Sequence, residues 1–379
     1  MNILYLANIR LPTEKAHGLQ IMKTCEALAR EGHAVELVVP TRHNALSDDP
    51  FAYYGVEKIF KLTTLRVPDF IRFGRFGFLV SLLWFSEAAR LRRQFWRADV
   101  IYSRDALVLL QYVLLGRRLV FESHTKPSAI VRFVARRAHR VIVIAKALGE
   151  IYEAAGVRAE RIRLVPDAVD LSVFDRTETR EECRTQLGLS QDKRIVAYVG
   201  KLHTMGESKG VENLIQAMGL FVGAHPDAHL LLVGLNANEF SVAEALAARA
   251  QLPEAARTFV GHVSYAEVAR YLRAADVLVM SYPNTEHYAR YMSPMKLFEY
   301  MASGTPIVTT DLPTIREVLD DTTALFTRDT STRALEEGVV AVLSDPASAA
   351  TRAQEARRRV TEYSWAKRAS RIAAALQSA

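Results

Sequence analysis

Two lysines, Lys201 and Lys209, flank one loop between a predicted strand and a predicted helix. Such a pair could neutralise two phosphate groups, or serve as ordinary surface charge. Further along, Ser293-Pro294-Met295-Lys296-Leu297-Phe298-Glu299 reads as a helix start, with Ser293 a good N-cap and Pro294 a good first helical residue. A helix start leaves backbone N–H groups unpaired and about half a positive charge, which together make a seat for phosphate. Glu299 lies about one and a half turns further in, placed to accept hydrogen bonds from hydroxyls of a ligand held there. The same residues would also make an ordinary capped helix. Gly18, where a loop turns into a helix, would allow close backbone approach by a diphosphate. No GxGxxG is present, which counts against a dinucleotide cofactor. His124, at a strand end, could touch a reacting ligand or make a structural hydrogen bond.

These residues need a frame, and the chain supplies one by alternating short apolar runs with helical patterns. Strands are predicted at 2–7, 34–39, 99–103, 118–123, 140–145 and 161–166, with a helix at 18–31 that Gly32 stops. Residues 170–192 turn polar and read as a linker with a short helix around 178–187. Alternation restarts at 194–200, then 228–234, 257–263, 276–282, 306–310 and 323–327. The pattern is α/β, with two doubly wound parallel-sheet domains of similar size. In such sheets ligands bind at the carboxyl ends of strands, where the lysines and His124 fall. A last amphipathic helix is predicted from Ser364-Trp365 to Leu376, with Lys367, Arg368 and Arg371 facing solvent.

The 379 residues are half apolar and 24% charged, a globular composition long enough for two cores. Cys25 and Cys183 stand far apart without metal-ligand spacing, which argues for a reducing compartment and against zinc. The residues MNILYLANIRLP read as a first strand rather than a signal peptide, and no apolar run approaches membrane-spanning length, so a cytoplasmic location is expected. Residues 1–180 hold 28 basic against 19 acidic side chains, and 181–379 hold 21 against 23. The basic, aromatic stretch 71–97 could touch an anionic membrane surface or be a core helix with a solvated basic face. Nucleic acid is disfavoured because no helix-turn-helix, zinc finger or aromatic single-strand platform accompanies the charge.

VGKLHTMGESKGVENLIQAM, FVGHVSYAEVARYLRAADVLVMSYP and YMSPMKLFEYMASGTPIVTTDLPTIREVL occur in that order, with VPDAVDLSVF at the junction and YSWAKRA near the end. On these segments the chain resembles the retaining, nucleotide-sugar-dependent glycosyltransferases of family 4. The resemblance implies a GT-B fold, two Rossmann-like domains facing across a cleft: 1–178, joined by the helix at 364–379, and 190–363. It implies Lys201 (where relatives usually have Arg) and Lys209 on the donor diphosphate, and Glu299 on ribose hydroxyls. Backbone at His262 and Val263 would read the nucleobase, Gly18 would admit the diphosphate, and His124 would contact the transferred sugar. Tyr291, Ser293, Pro294, Met295 and Lys296 complete the donor-binding set.

The pattern departs from the family at Tyr291, eight positions before Glu299, where relatives carry a first glutamate that touches donor-sugar hydroxyls. The loop from His203 to Ser208 is longer than usual, and Ala168 replaces a common glycine. The implied reaction is transfer from a nucleoside diphosphate sugar to a glycan or lipid-linked acceptor in cell-surface polysaccharide or glycolipid synthesis. No metal or other cofactor is expected, since no Asp-x-Asp follows a predicted strand. The alternatives are a GT-B epimerase or phosphorylase, which would need no acceptor, and a non-catalytic nucleotide-sugar binder, which would release no nucleoside diphosphate.

Overall fold

Parallel pairing of buried apolar runs builds two separate sheets in the computed structural model, which describes residues 1–175, 177–204 and 206–377. The first holds β1 (Asn2–Leu6), β2 (Ala34–Pro40), β3 (Lys61–Leu65), β4 (Val100–Ser103), β5 (Leu119–Ser123), β6 (Arg140–Val143) and β7 (Ile162–Leu164). Their order is β3-β2-β1-β4-β5-β6-β7, so the winding reverses between β1 and β4. β3 was not foreseen. Its KLTTL sequence is half-exposed at the sheet edge and lacks the apolar run that marks the central strands.

The second sheet is built from β8 (Arg194–Val199), then, past a hairpin of β9 (His203–Thr204) and β10 (Glu207–Ser208), β11 (Ala228–Leu235), β12 (Arg257–Gly261), β13 (Val277–Met280), β14 (Ile307–Thr310) and β15 (Leu325–Thr327). Its order is β12-β11-β8-β13-β14-β15, with the reversal between β8 and β13. Both sheets are wholly parallel and carry helices between strands, as a doubly wound fold requires.

The chain divides into two compact units: 1–168 with 290–293 and 365–379, and 169–289 with 294–364. The boundary therefore lies ahead of the expected linker, and 170–192 belongs to the second unit. The reason is Arg184, buried on the helix Arg180–Leu187, whose guanidinium donates to the carbonyls of Ala274, Gln191 and Lys193 and to Asp276. The terminal helix Trp365–Gln377 packs with the first unit against the helix Ala16–Arg30. Arg368 does not face solvent as its spacing suggested; it is 2% exposed. Both cysteines are buried and neither forms a disulfide.

Candidate functional site

At the carboxyl end of β8 the chain runs directly into Gly200-Lys201-Leu202, and Glu239 pins that loop from the neighbouring helix Ala237–Arg249. One Glu239 oxygen accepts the backbone N–H of Leu202 at 2.8 Å and, more weakly, that of His203 at 3.4 Å. The other closes a capping box by accepting from the backbone of Asn236 at 3.1 Å. Asn236-x-x-Glu239 is a legible cap signature; its second role, reaching across to another loop, was not legible. The Tyr198 hydroxyl donates to the Lys201 carbonyl at 2.8 Å, and the Lys209 N–H donates to the Leu202 carbonyl at 2.9 Å. Both lysines are thereby tied to one short stretch of backbone.

Gly210 follows as the cap of the helix Val211–Ala224, with φ of +76°. A Cβ there would stand 1.9 Å from the Ser281 carbonyl oxygen beyond β13, so only glycine fits. This close approach draws the Lys209 turn to the winding reversal between β8 and β13, the expected ligand position in an open parallel sheet.

Lys296 completes the group from the helix Met295–Ser303. Its ammonium lies 3.4 Å from the centroid of the Tyr198 ring and 5.8 Å from that of Tyr282. It is buried with no hydrogen-bond partner among the described residues. Burial and then the charge of Lys209 push it well below the ordinary lysine range, with Glu299 opposing. Lys209 falls to about 8 through burial, opposed by Glu239 and reinforced by Lys201. Glu299 is raised to about 7 by burial, with Lys296 pulling the other way. A buried amine lacking an acceptor, held beside a second lysine at a helix start, is a site short of negative charge.

The other expected donor residues are divided between the two units. Pro294, not Ser293, occupies the cap of the Met295 helix, and no side chain caps it. Ser293 instead accepts the Asp167 N–H at 2.9 Å, and it belongs with Tyr291 to the first unit. Tyr291 is buried in that unit's apolar cluster. His262 is exposed and Val263 half-buried, both just past β12 at the carboxyl edge of the second sheet. Gly18 lies inside the helix Ala16–Arg30, where a Cβ would stand 2.1 Å from the Tyr54 hydroxyl. That hydroxyl accepts from the Thr13 N–H and donates to the Thr13 carbonyl, both at 2.7 Å, so the immediate demand for glycine is internal packing.

In the first unit His124 follows β5 and is held by Glu122, which is fully buried. The His124 Nε2 lies 2.5 Å from Glu122 Oε1, which also accepts from Gln20 and Arg368, each at 2.8 Å. Tyr102 donates to Oε2. Burial pushes Glu122 up, but Arg368, His124 and Arg104 outweigh it and hold the carboxyl well below its usual range. His124 is lowered by burial and Arg104, with Glu122 opposing. His17, nearby in charge, is brought to about 4 by burial, Arg104, Lys15 and His124. Glu122, His124 and Asp167 place ligand atoms within 4.8 Å of one another, yet the residues do not suit a metal. The guanidinium of Arg368 already occupies the cationic position on Glu122, and a second cation would face it at close range.

Residues 18–173 match the family described as Glycosyltransferase Family 4, and residues 179–363 match Glycosyl transferases group 1. Glycogen synthase of Mycobacterium tuberculosis is 25% identical over 293 residues, covering 71% of this chain and 66% of its own length. The chain thus spans slightly less than two thirds of that relative. The phosphatidyl-myo-inositol mannosyltransferase of the same organism is 25% identical over 381 residues, covering 94% of this chain and 91% of its own. Among solved structures, Anabaena HepE in complex with UDP and glucose superposes with a TM-score of 0.76 at 18% identity, covering 100% of this chain and 99% of that one.

Proposed function

We propose that this chain, which belongs to glycosyltransferase family 4 and has the GT-B fold, moves a sugar from a nucleoside diphosphate sugar to a glycan or lipid-linked acceptor with retention. The observation that carries the reading is the buried amine of Lys296, beside Lys209 and without a hydrogen-bond partner among the described residues. UDP in the HepE structure and the lipid-directed name of the mannosyltransferase support the donor and acceptor classes.

In this reading the bond from the anomeric carbon to the diphosphate oxygen breaks, and negative charge grows on the leaving group. Lys201, Lys209, Lys296 and the N–H groups at Met295 stabilise that charge without a metal ion. The acceptor oxygen bonds to the same face of the carbon, and its proton passes to the departing phosphate. Glu299 accepts hydrogen bonds from ribose hydroxyls, backbone at His262 and Val263 reads the base, and His124 contacts the sugar.

Thermal melts with UDP-, GDP- and ADP-sugars test the donor, because a ligand at 100 times its Kd stabilises by about 2.7 kcal/mol. One of them is expected to raise the Tm equally with and without EDTA. Anomeric analysis of the product then reads the stereochemistry. No stabilisation by any of the three, or an inverted product, would refute the reading.

The acceptor end draws on the helix Gly74–Arg90, whose inner face buries Leu82, Phe85 and Ala89 while Phe76 is 77% and Trp84 56% exposed. Phe73, Leu79 and Leu83 are also exposed, with Arg72 and Arg75 beside them. The turn before the helix is clamped: the Phe70 N–H donates to Ser81 Oγ at 2.9 Å, and Gly77 leaves no room for a Cβ against the Phe70 carbonyl. No helix among the described residues is long and apolar enough to cross a membrane. Aromatic side chains flanked by arginine suit a surface contact with anionic lipid instead. Phe76→Ser with Trp84→Ser is expected to cut co-flotation with phosphatidylglycerol vesicles about tenfold while leaving the melt unchanged. Equal flotation of variant and parent would remove this face from the account.

A further inference from the structure

Arg368 stands 246 residues beyond Glu122 in the chain, yet its guanidinium is engaged entirely at the floor of the His124 site. One terminal nitrogen donates to Glu122 Oε1 at 2.8 Å, the other to Thr24 Oγ1 at 3.1 Å, and Nε to the Pro166 carbonyl at 3.1 Å. Both partners of the ion pair are essentially sealed from water. Burying a pair of charges this deeply gains little stability over an apolar pair of equal volume. A role in positioning gives the pair a purpose that stability alone does not.

We propose that Arg368 and Glu122 form a relay that orients the His124 ring, turning Nε2–H inward and presenting Nδ1 outward as a hydrogen-bond acceptor for a substrate hydroxyl. An ionised Glu122 can only accept, so a neutral imidazole bound to it must carry its proton on Nε2. The opposite nitrogen then holds a lone pair, fixed in direction because the carboxylate is itself fixed by Gln20, Tyr102 and Arg368. Arg104 adds a brace by donating to the Gln20 side-chain oxygen at 2.7 Å. The charged and titratable groups around the ring are Glu122 from β5, Arg104 after β4, Tyr102 in β4, His17 on the first helix, Asp167 after β7 and Arg368 from the last helix. Arg368 is a positioning residue, since it acts through Glu122. The substrate hydroxyl rests on the proposed glycosyl transfer, whereas the ring state can be measured without any transfer.

The test is long-range 15N–1H correlation of the histidine rings in the full-length chain between pH 5 and pH 9, without ligand. The parent is expected to show His124 as a single neutral Nε2–H tautomer at neutral pH and above, since burial and Arg104 lower it from the ordinary histidine range. Arg368→Met alone leaves a buried carboxylate unpaired and invites misfolding, so Glu122→Gln with Arg368→Met is the informative variant. The introduced amide can either donate or accept, and His124 is expected to become a mixture with at least a tenth of the Nδ1–H form. A folded double variant that keeps the pure Nε2–H tautomer would overturn the relay, as would a parent already showing Nδ1–H. Once a donor is known, the relay further requires kcat of the double variant to fall at least tenfold with donor KM unchanged. A rise in donor KM accompanying the fall in kcat would overturn the relay, because it indicates a displaced backbone.

Discussion

Lys209→Met should lower kcat/KM about 10²- to 10³-fold, the usual cost of removing one group that stabilises charge on a leaving atom. The fold should not suffer. Lys209 is held at about 8 in the folded chain, below its ordinary 10.5, mainly by burial. The unfolded chain therefore binds more protons between those values, and stability rises with pH across that window. Below about pH 8 the folded protein carries the full penalty, on the order of 3 kcal/mol, which methionine relieves. The expected signature is a melt of the free protein at pH 7 no lower than the parent's, together with loss of stabilisation by the donor. A variant that melts early, or one that turns over normally, contradicts this role. In the parent, donor affinity should fall as pH rises through about 8, because binding must then supply the proton that Lys209 has lost.

Glu299→Gln should weaken donor binding about tenfold to a hundredfold, the range for a hydrogen bond to a charged group. Its effect on stability has the opposite slope from that of Lys209. Glu299 is raised to about 7 by burial, so the folded state binds more protons than the unfolded state between its ordinary 4.5 and 7. Its contribution is fully present below about 4.5 and is lost as pH rises through 7. Glutamine removes that loss, so the Tm difference between variant and parent should widen from pH 5 to 7 and then level off. Hydroxyl donors favour the carboxylate, hence donor affinity should rise through pH 7 before Lys209 lowers it again near 8. Isothermal titration across pH 5.5–9.5 reads this maximum. A flat profile in the parent, or full-strength binding by the variant, would dismiss the assignment.

The strands that carry the second site were legible because each is a short apolar run buried on both faces, and β8, β11, β13 and β14 appear within about two residues of their expected limits. Lys201, Lys209, Lys296 and Glu299 were legible for a related reason. The three lysines sit just past a strand or at a helix start, where local pattern alone says backbone N–H groups and charges will collect, and Glu299 lies further along the helix Met295–Ser303. Glu239 was half legible, since its cap is written in four consecutive residues while its hold on Leu202 is not. Ser293 was misread because a local rule for caps competes with a hydrogen bond to Asp167, 126 residues away, and the distant partner wins.

By itself, then, the order of residues determined the two parallel sheets, the lysine-bearing loops and the presence of a helix soon after Ser293, all of which depend on periodicity and neighbours close in the chain. Only the tertiary structure decided that Arg368 turns inward. At helical spacing beside Lys367 and Arg371 it looks like a solvated charge, and nothing nearby in sequence contradicts that. Its place is set by a carboxylate on β5 that is fully buried and would otherwise lack a counter-charge. Electrostatic demand of this kind acts through space, so it leaves no periodic trace along the chain.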